Sequence, residues 1–225
     1  MRAILRTLAL FVICAPVWAF DLSSLTDSEA SGGLKEALIQ GAGNAVGSLG
    51  KKDGFLKNPK VRIPLPGALK TAEPVLRAMG RGKDLDALET TMNRAAEAAV
   101  PQAKVLLVNA AKQMTVSDAK QILTGGEDSV TQYFKGKTED DLMKMFLPEV
   151  KKSTDKLSLS SQYNKLAGKA SGFGLVDKED AQVESYVTRK ALDGLYLMIA
   201  EEEKALRKNP LGAAGSLAKK VFGAL

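Results

Sequence analysis

The sequence predicts an all-α fold: a single multi-helix bundle around a long central C-terminal helix, crossed by one extended, proline-bounded strap. Three observations predict it. Apolar residues recur every three or four positions along nearly all of the 225 residues, which places them on one side of a helix. No stretch alternates apolar and polar residues as a half-buried strand does. Gly and Pro fall between the periodic stretches, where helices stop.

The first residues read as a targeting segment. Arg2 and Arg6 form a positive start, Leu8 to Val17 a short apolar core, and Val17-Trp18-Ala19 a cleavage site ending in Ala. That is the pattern of a secretory signal peptide, residues 1–19. The apolar run is far shorter than the ~20 residues of a spanning helix. Phe11-Val12-Ile13 lacks the small residue that precedes an acylated cysteine, which speaks against Cys14 as a lipid anchor. The expected mature chain is residues 20–225, one periplasmic domain, with no later segment apolar enough to span a membrane.

The elements follow in order. A first helix is expected over Gly33–Leu49, with Leu34, Leu38, Ala42, Val46 and Leu49 on one face. Gly41, Gly43 and Gly47 weaken it, and close approach by another helix is the expected benefit. Residues 50–66 cannot continue it. Asp53-Gly54 and Asn58-Pro59 are turn signals, and Val61-Arg62-Ile63-Pro64-Leu65-Pro66 is held extended by its prolines. This strap either packs over the bundle through Phe55, Val61, Ile63 and Leu65 or closes a groove. A helix around Pro74 runs to Met79 and stops at Gly80 and Gly82. Asp84 is expected to cap the next, which aligns Leu85, Leu88, Met92, Ala95, Ala96 and Ala99, and Pro101 interrupts it. Thr115 with Asp118 forms a capping box, and Thr138 with Asp141 is expected to form another. Gly125-Gly126 is a turn between them, Pro148 a bend, and a polar helix is expected to run on to Ala167. After a loop at 171–174, the longest helix runs from about Lys178 to Lys208, stopped by Asn209-Pro210, and is apolar nearly all round between Ala191 and Ala200. A short tail carries Leu211, Leu217, Val221 and Phe222.

Composition excludes much chemistry. The chain has no His and one Cys, and cleavage removes that Cys14. Histidine-based triads, imidazole shuttles, zinc motifs and disulfides are thereby excluded from the mature chain, and no metal or cofactor is expected. The net charge of +6 falls by two when Arg2 and Arg6 leave, and its charges are interspersed. With 5% aromatics and no basic–aromatic run, nothing resembles a nucleic-acid footprint.

Several phrases recur together in order: Gly33-Leu34-Lys35-Glu36-Ala37-Leu38, Asp53-Gly54-Phe55, Ile63-Pro64-Leu65-Pro66, Met92-Asn93-Arg94-Ala95-Ala96-Glu97, Ala191-Leu192-Asp193-Gly194-Leu195 and Arg207-Lys208-Asn209-Pro210. The chain resembles, over nearly its whole mature length, the exported bacterial family catalogued as domain of unknown function 4197. The resemblance implies an envelope protein with a helical fold, and it carries no activity or catalytic residue.

Two places attract attention as sites. Asn93 and Glu97 share a helix flank one turn apart, with Arg94 pointing away, and with Ile63 and Leu65 of the strap they would line a cleft. Lys190 and Glu201 fall on the line through Val183, Val187 and Gly194 and are expected to be buried and partnered, with Glu202 or Glu203 reaching Arg207. The leading function is a non-catalytic envelope binding protein holding an apolar ligand or protein partner in a helical groove. A carboxylate enzyme acting on cell-wall glycan through Glu97 or Glu201 and a structural component of an envelope complex are the alternatives. N-terminal sequencing of the exported product should find Phe20 first; an intact Met1 or an acylated Cys14 would refute the signal-peptide reading.

Overall fold

The computed structural model describes residues 26–209 and 215–223. The expected cleavage site, Cys14, Leu211 and the side chain of Phe222 lie outside what is described. Among the described residues the chain is all-α, without a strand.

Helix α1 (Asp27–Leu49) starts six residues before the expected Gly33 because Thr26 builds a capping box. Its hydroxyl accepts the Glu29 N–H at 3.2 Å, and the Glu29 carboxylate accepts the Thr26 N–H at 3.2 Å. Leu34, Leu38, Ala42, Val46 and Leu49 are all buried along it. The strap, residues 50–66, is non-helical throughout and leads through Pro66 into α2 (Gly67–Ala78), which carries Pro74 within it.

Helix α3 (Gly82–Ala99) begins at Gly82. Asp84 is therefore not its cap; it lies in the first turn, paired with Arg81. A 3-10 turn at Val100–Gln102 accommodates Pro101 before α4 (Ala103–Gln113). The Thr115–Asp118 capping box opens α5 (Val116–Thr124) as expected.

The largest departure is α6 (Ser129–Thr154), which runs unbroken through both expected interruptions. Thr138 caps nothing: its hydroxyl donates to the Phe134 carbonyl one turn back at 2.7 Å and meets the buried Tyr196 hydroxyl at 3.0 Å. Pro148 is tolerated because it lies on the solvent side, where water can reach the carbonyl it leaves unpaired. The chain breaks instead at 155–157, before α7 (Ser158–Gly172). A 3-10 turn at Lys178–Asp180 precedes α8 (Val183–Lys208), so the long helix starts five residues later than expected. Glu179 and Asp180 of that turn pair with Arg189. The last element is α9 (Ser216–Gly223), with Val221 buried.

Helix α8 occupies the centre, packing most extensively on α6 and also on α1, α3, α7 and α9. Ala191, Leu192, Leu195 and Ile199 are buried, whereas Leu197 is exposed, so the helix is not enclosed all round. Close approach occurs at different glycines from those expected. A Cβ on Gly194 would sit 2.8 Å from Phe55 Cε1 and 3.2 Å from Val61 Cβ, so the strap presses directly on α8 there. One on Gly33 would lie 2.4 Å from the Leu217 carbonyl oxygen, where α9 crosses α1. Gly41 is only in ordinary contact, and Gly43 and Gly47 face open space.

Opposite outcomes follow for two alanine substitutions in urea denaturation. Gly194→Ala should destabilise by ~1–3 kcal/mol, because the methyl overpacks against Phe55. Gly47→Ala, in an exposed helix interior, should stabilise by ~0.5–1 kcal/mol.

Candidate functional site

The cleft expected between the strap and α3 is closed by the strap itself. Phe55, Val61, Ile63 and Leu65 are all buried, and their backbone needs partners away from water. Asn93, fully buried, supplies them. Its Oδ1 accepts the Ile63 N–H at 2.8 Å, and its Nδ2 donates to the Ile63 and Glu89 carbonyls, each at 2.8 Å. Glu97 Oε1 accepts the N–H groups of Phe55 and Leu56 at 3.0 and 3.1 Å. Arg94 does not point away: it bridges Glu97 Oε2 and Asp53 Oδ1, both at 2.6 Å. Lys57 and Arg94 hold the Asp53 carboxyl below its usual range, at a residue whose backbone sits at φ 69°. The Tyr186 hydroxyl donates to the Pro64 carbonyl at 3.1 Å. Asn93, Arg94 and Glu97 thus tie down the strap, and Ile63 and Leu65 are core.

The α8 residues are also rearranged. Glu201 is on the surface, ion-paired with Lys60, and Lys190 pairs at the surface with Asp193 at 3.2 Å. Glu202 accepts a hydrogen bond from Asn44 at 2.9 Å. The buried carboxylate is Glu203, whose side chain is 0% exposed. It accepts the Val130 and Thr131 N–H groups at 3.2 and 3.3 Å, and Arg207 Nη2 lies 3.0 Å from it. Asp128 makes no side-chain cap for α6, so Glu203 satisfies that helix's free amides from outside, where the helix dipole favours a negative charge. Burial pushes the Glu203 carboxyl up, against the pull of those amides and of Arg207.

The displacement from Glu201 to Glu203 has a geometric cause. At about 100° per residue, Val187 and Gly194 lie within about 40° of Val183, but Ile199, Glu203 and Leu206 lie about 140–200° round. The buried face of α8 swings as its neighbours change, so a single line drawn from Val183 leads to the wrong carboxylate.

Among the described residues an open, mainly apolar groove of about 280 Å³ lies between α2 and α7. From α2 it is lined by Leu69, Ala72 and Leu76, and from α7 by Leu159, Leu166 and Ala167. Arg81 and Gln162 stand at one end, 3.5 Å apart, which sets the C-terminal end of α2 beside the N-terminal half of α7. Leu69 and Ala167 are buried at its floor, while Leu166 is exposed in its wall. None of the sequence-proposed site residues lines it. The signal was present in the spacing of Leu69, Ala72 and Leu76 and of Leu159 and Leu166, which reads equally as ordinary core stripes.

Fold and groove together define an all-α protein with an apolar cleft at one edge, and among the described residues no helix is long and apolar enough to cross a membrane. The chain belongs to the family described as protein of unknown function (DUF4197), whose model matches residues 24–223. No curated protein and no solved structure matches it.

Thermal and urea melts should separate the two acidic neighbours. Glu203→Ala should cost ~3–5 kcal/mol, because it orphans Arg207 and two helix-start amides, whereas Glu201→Ala should leave the melt unchanged. Ile63→Ala should cost ~2–5 kcal/mol as a core truncation. A wild-type melt for Ile63→Ala would contradict the sealed strap.

Proposed function

We propose that this is an exported, non-catalytic binding protein that holds an apolar ligand in the groove between α2 and α7. The observation that carries this reading is the groove itself: an open apolar cleft of about 280 Å³, walled by a large side chain, Leu166, that is left exposed in it. Small-molecule sites are concave and mostly apolar with few polar groups, and they start at roughly 300 Å³. Arg81 and Gln162 are the polar groups at the end of this one. Export rests on the Arg2, Arg6 and Val17-Trp18-Ala19 pattern at the start of the chain.

A glycan-cleaving enzyme needs two carboxylates facing each other across a sugar. Glu97 is buried and committed to the strap amides and Arg94. Glu201 stands on the open surface with Lys60. Both commitments favour the binding reading.

A fatty acid carrying an environment-sensitive fluorophore tests it. The wild-type protein should bind the probe saturably, with the emission shift of an apolar surrounding. Ala72→Phe, which fills the groove, and Leu166→Gln, which makes its wall polar, should each weaken binding by about tenfold or more while leaving the melting temperature close to wild type. Probe binding that Ala72→Phe does not alter would place the ligand elsewhere and refute the proposal.

A further inference from the structure

Exposed large apolar residues are not scattered evenly over this protein. Five of the eight among the described residues, Val75, Met79, Leu166, Phe173 and Leu175, lie on α2, on α7 or in the turns that follow these helices. The two most exposed, Phe173 at 83% and Leu175 at 78%, are nearly adjacent in the chain. Exposed large apolar side chains gathered on two facing helices and their end turns mark something that covers them.

These side chains are held out by rigid backbone. After α7, Gly174 takes φ 74°, its N–H bonds the Ser171 carbonyl at 3.0 Å, and the Leu175 N–H bonds the Ala170 carbonyl at 3.0 Å. After α2, Gly80 takes φ 79°, its N–H bonds the Arg77 carbonyl at 3.0 Å, and the Arg81 N–H bonds the Leu76 carbonyl at 2.9 Å. Both are complete Schellman turns, which satisfy the last carbonyls of a helix and need a left-handed residue at that position. Each presents a large apolar residue, Met79 or Phe173, just before its glycine. A complete turn usually tucks an apolar side chain back onto its helix; here Phe173 and Leu175 project into solvent instead.

The charges around this face select the partner. Helix α7 contains Lys165 and Lys169 and no acidic residue, and neither lysine is ion-paired among the described residues. The acids of the neighbouring elements are largely spent: Glu73 on Arg77, Asp84 on Arg81, and Glu179 and Asp180 on Arg189. Asp177 is the exposed exception. An apolar face flanked by free lysines is what an anionic bilayer takes: side chains such as Phe and Leu enter the acyl boundary while lysines meet the headgroup phosphates.

We propose that the α2–α7 face docks on an anionic phospholipid bilayer, with Phe173, Leu175 and Met79 inserted and Lys165 and Lys169 against the headgroups, so that the groove opens towards the acyl chains. This rests on the reading that the groove takes an apolar ligand, and it names the source of that ligand. The ligand would be an acyl segment drawn from the surface on which the protein sits.

Vesicle flotation with the full mature chain tests it. The protein should float with vesicles containing phosphatidylglycerol, float poorly with pure phosphatidylcholine, and lose binding as salt is raised. Lys165→Gln combined with Lys169→Gln should weaken partitioning by about thirtyfold. Phe173→Ser with Leu175→Ser should abolish flotation, and because both residues are exposed the melting temperature should stay at the wild-type value. Absence of flotation with the anionic vesicles overturns the proposal, as does flotation that survives both double variants. So does a chain that self-associates through Phe173 and Leu175 and ignores vesicles. The fluorescent fatty acid keeps the two readings apart: if the soluble probe binds but vesicles do not, the docking proposal fails and the binding groove stands.

Discussion

Residues 50–66 cannot be helical, yet they bury Phe55, Val61, Ile63 and Leu65. Irregular backbone taken away from water must have every N–H and C=O partnered, because each orphan costs about as much as several good contacts gain. The rest of the structure depends on how that constraint is met. Asn93 gives Ile63 the paired donor and acceptor that a neighbouring strand would give, and Glu97 takes the two amides of the turn at Phe55 and Leu56. Arg94 neutralises Glu97 and reaches back to Asp53, so the buried carboxylate is not left as an isolated charge. With the strap fixed, Phe55 and Val61 close on Gly194 of the central helix, and α2 is delivered to the edge of the molecule.

The same rule operates at the other end of α8. Helix α6 begins without a side-chain cap of its own, and Glu203 together with Arg207 supplies one from a different element. Two buried carboxylates, Glu97 and Glu203, therefore serve as hydrogen-bond acceptors for irregular or terminal backbone. Each is paired with an arginine three or four residues away on its own helix. That pairing holds the carboxylate in place for its amides.

Helix α2 is the element least absorbed by this network. Only Leu69 is buried along it, and its apolar stripe faces α7 across a gap that neither helix fills. The strap determines where α2 starts, and the two Schellman turns determine where α2 and α7 stop. The groove between them follows from two well-formed helices whose facing stripes are held too far apart to interlock.

By itself the sequence determined the helical class, the non-helical strap with its four apolar pegs, the capping box at Thr115 and the stripe on α3, because helical period, a capping pair and closely spaced prolines act locally; a lone proline such as Pro148 does not decide by itself. It also carried, unread, the capping box at Thr26 and Glu29. Only the tertiary structure decided what the polar residues do. Whether Asn93 faces a ligand or the Ile63 backbone depends on where a segment thirty residues earlier comes to lie. Whether Glu201 or Glu203 is buried depends on a face that swings along α8 as its neighbours change, and whether Thr138 starts a helix or continues one depends on Tyr196 beside it. The groove was illegible for the same reason. The stripes of Leu69, Ala72 and Leu76 and of Leu159 and Leu166 are those of two core-facing helices, and spacing along a chain does not record how far apart two stripes will stand.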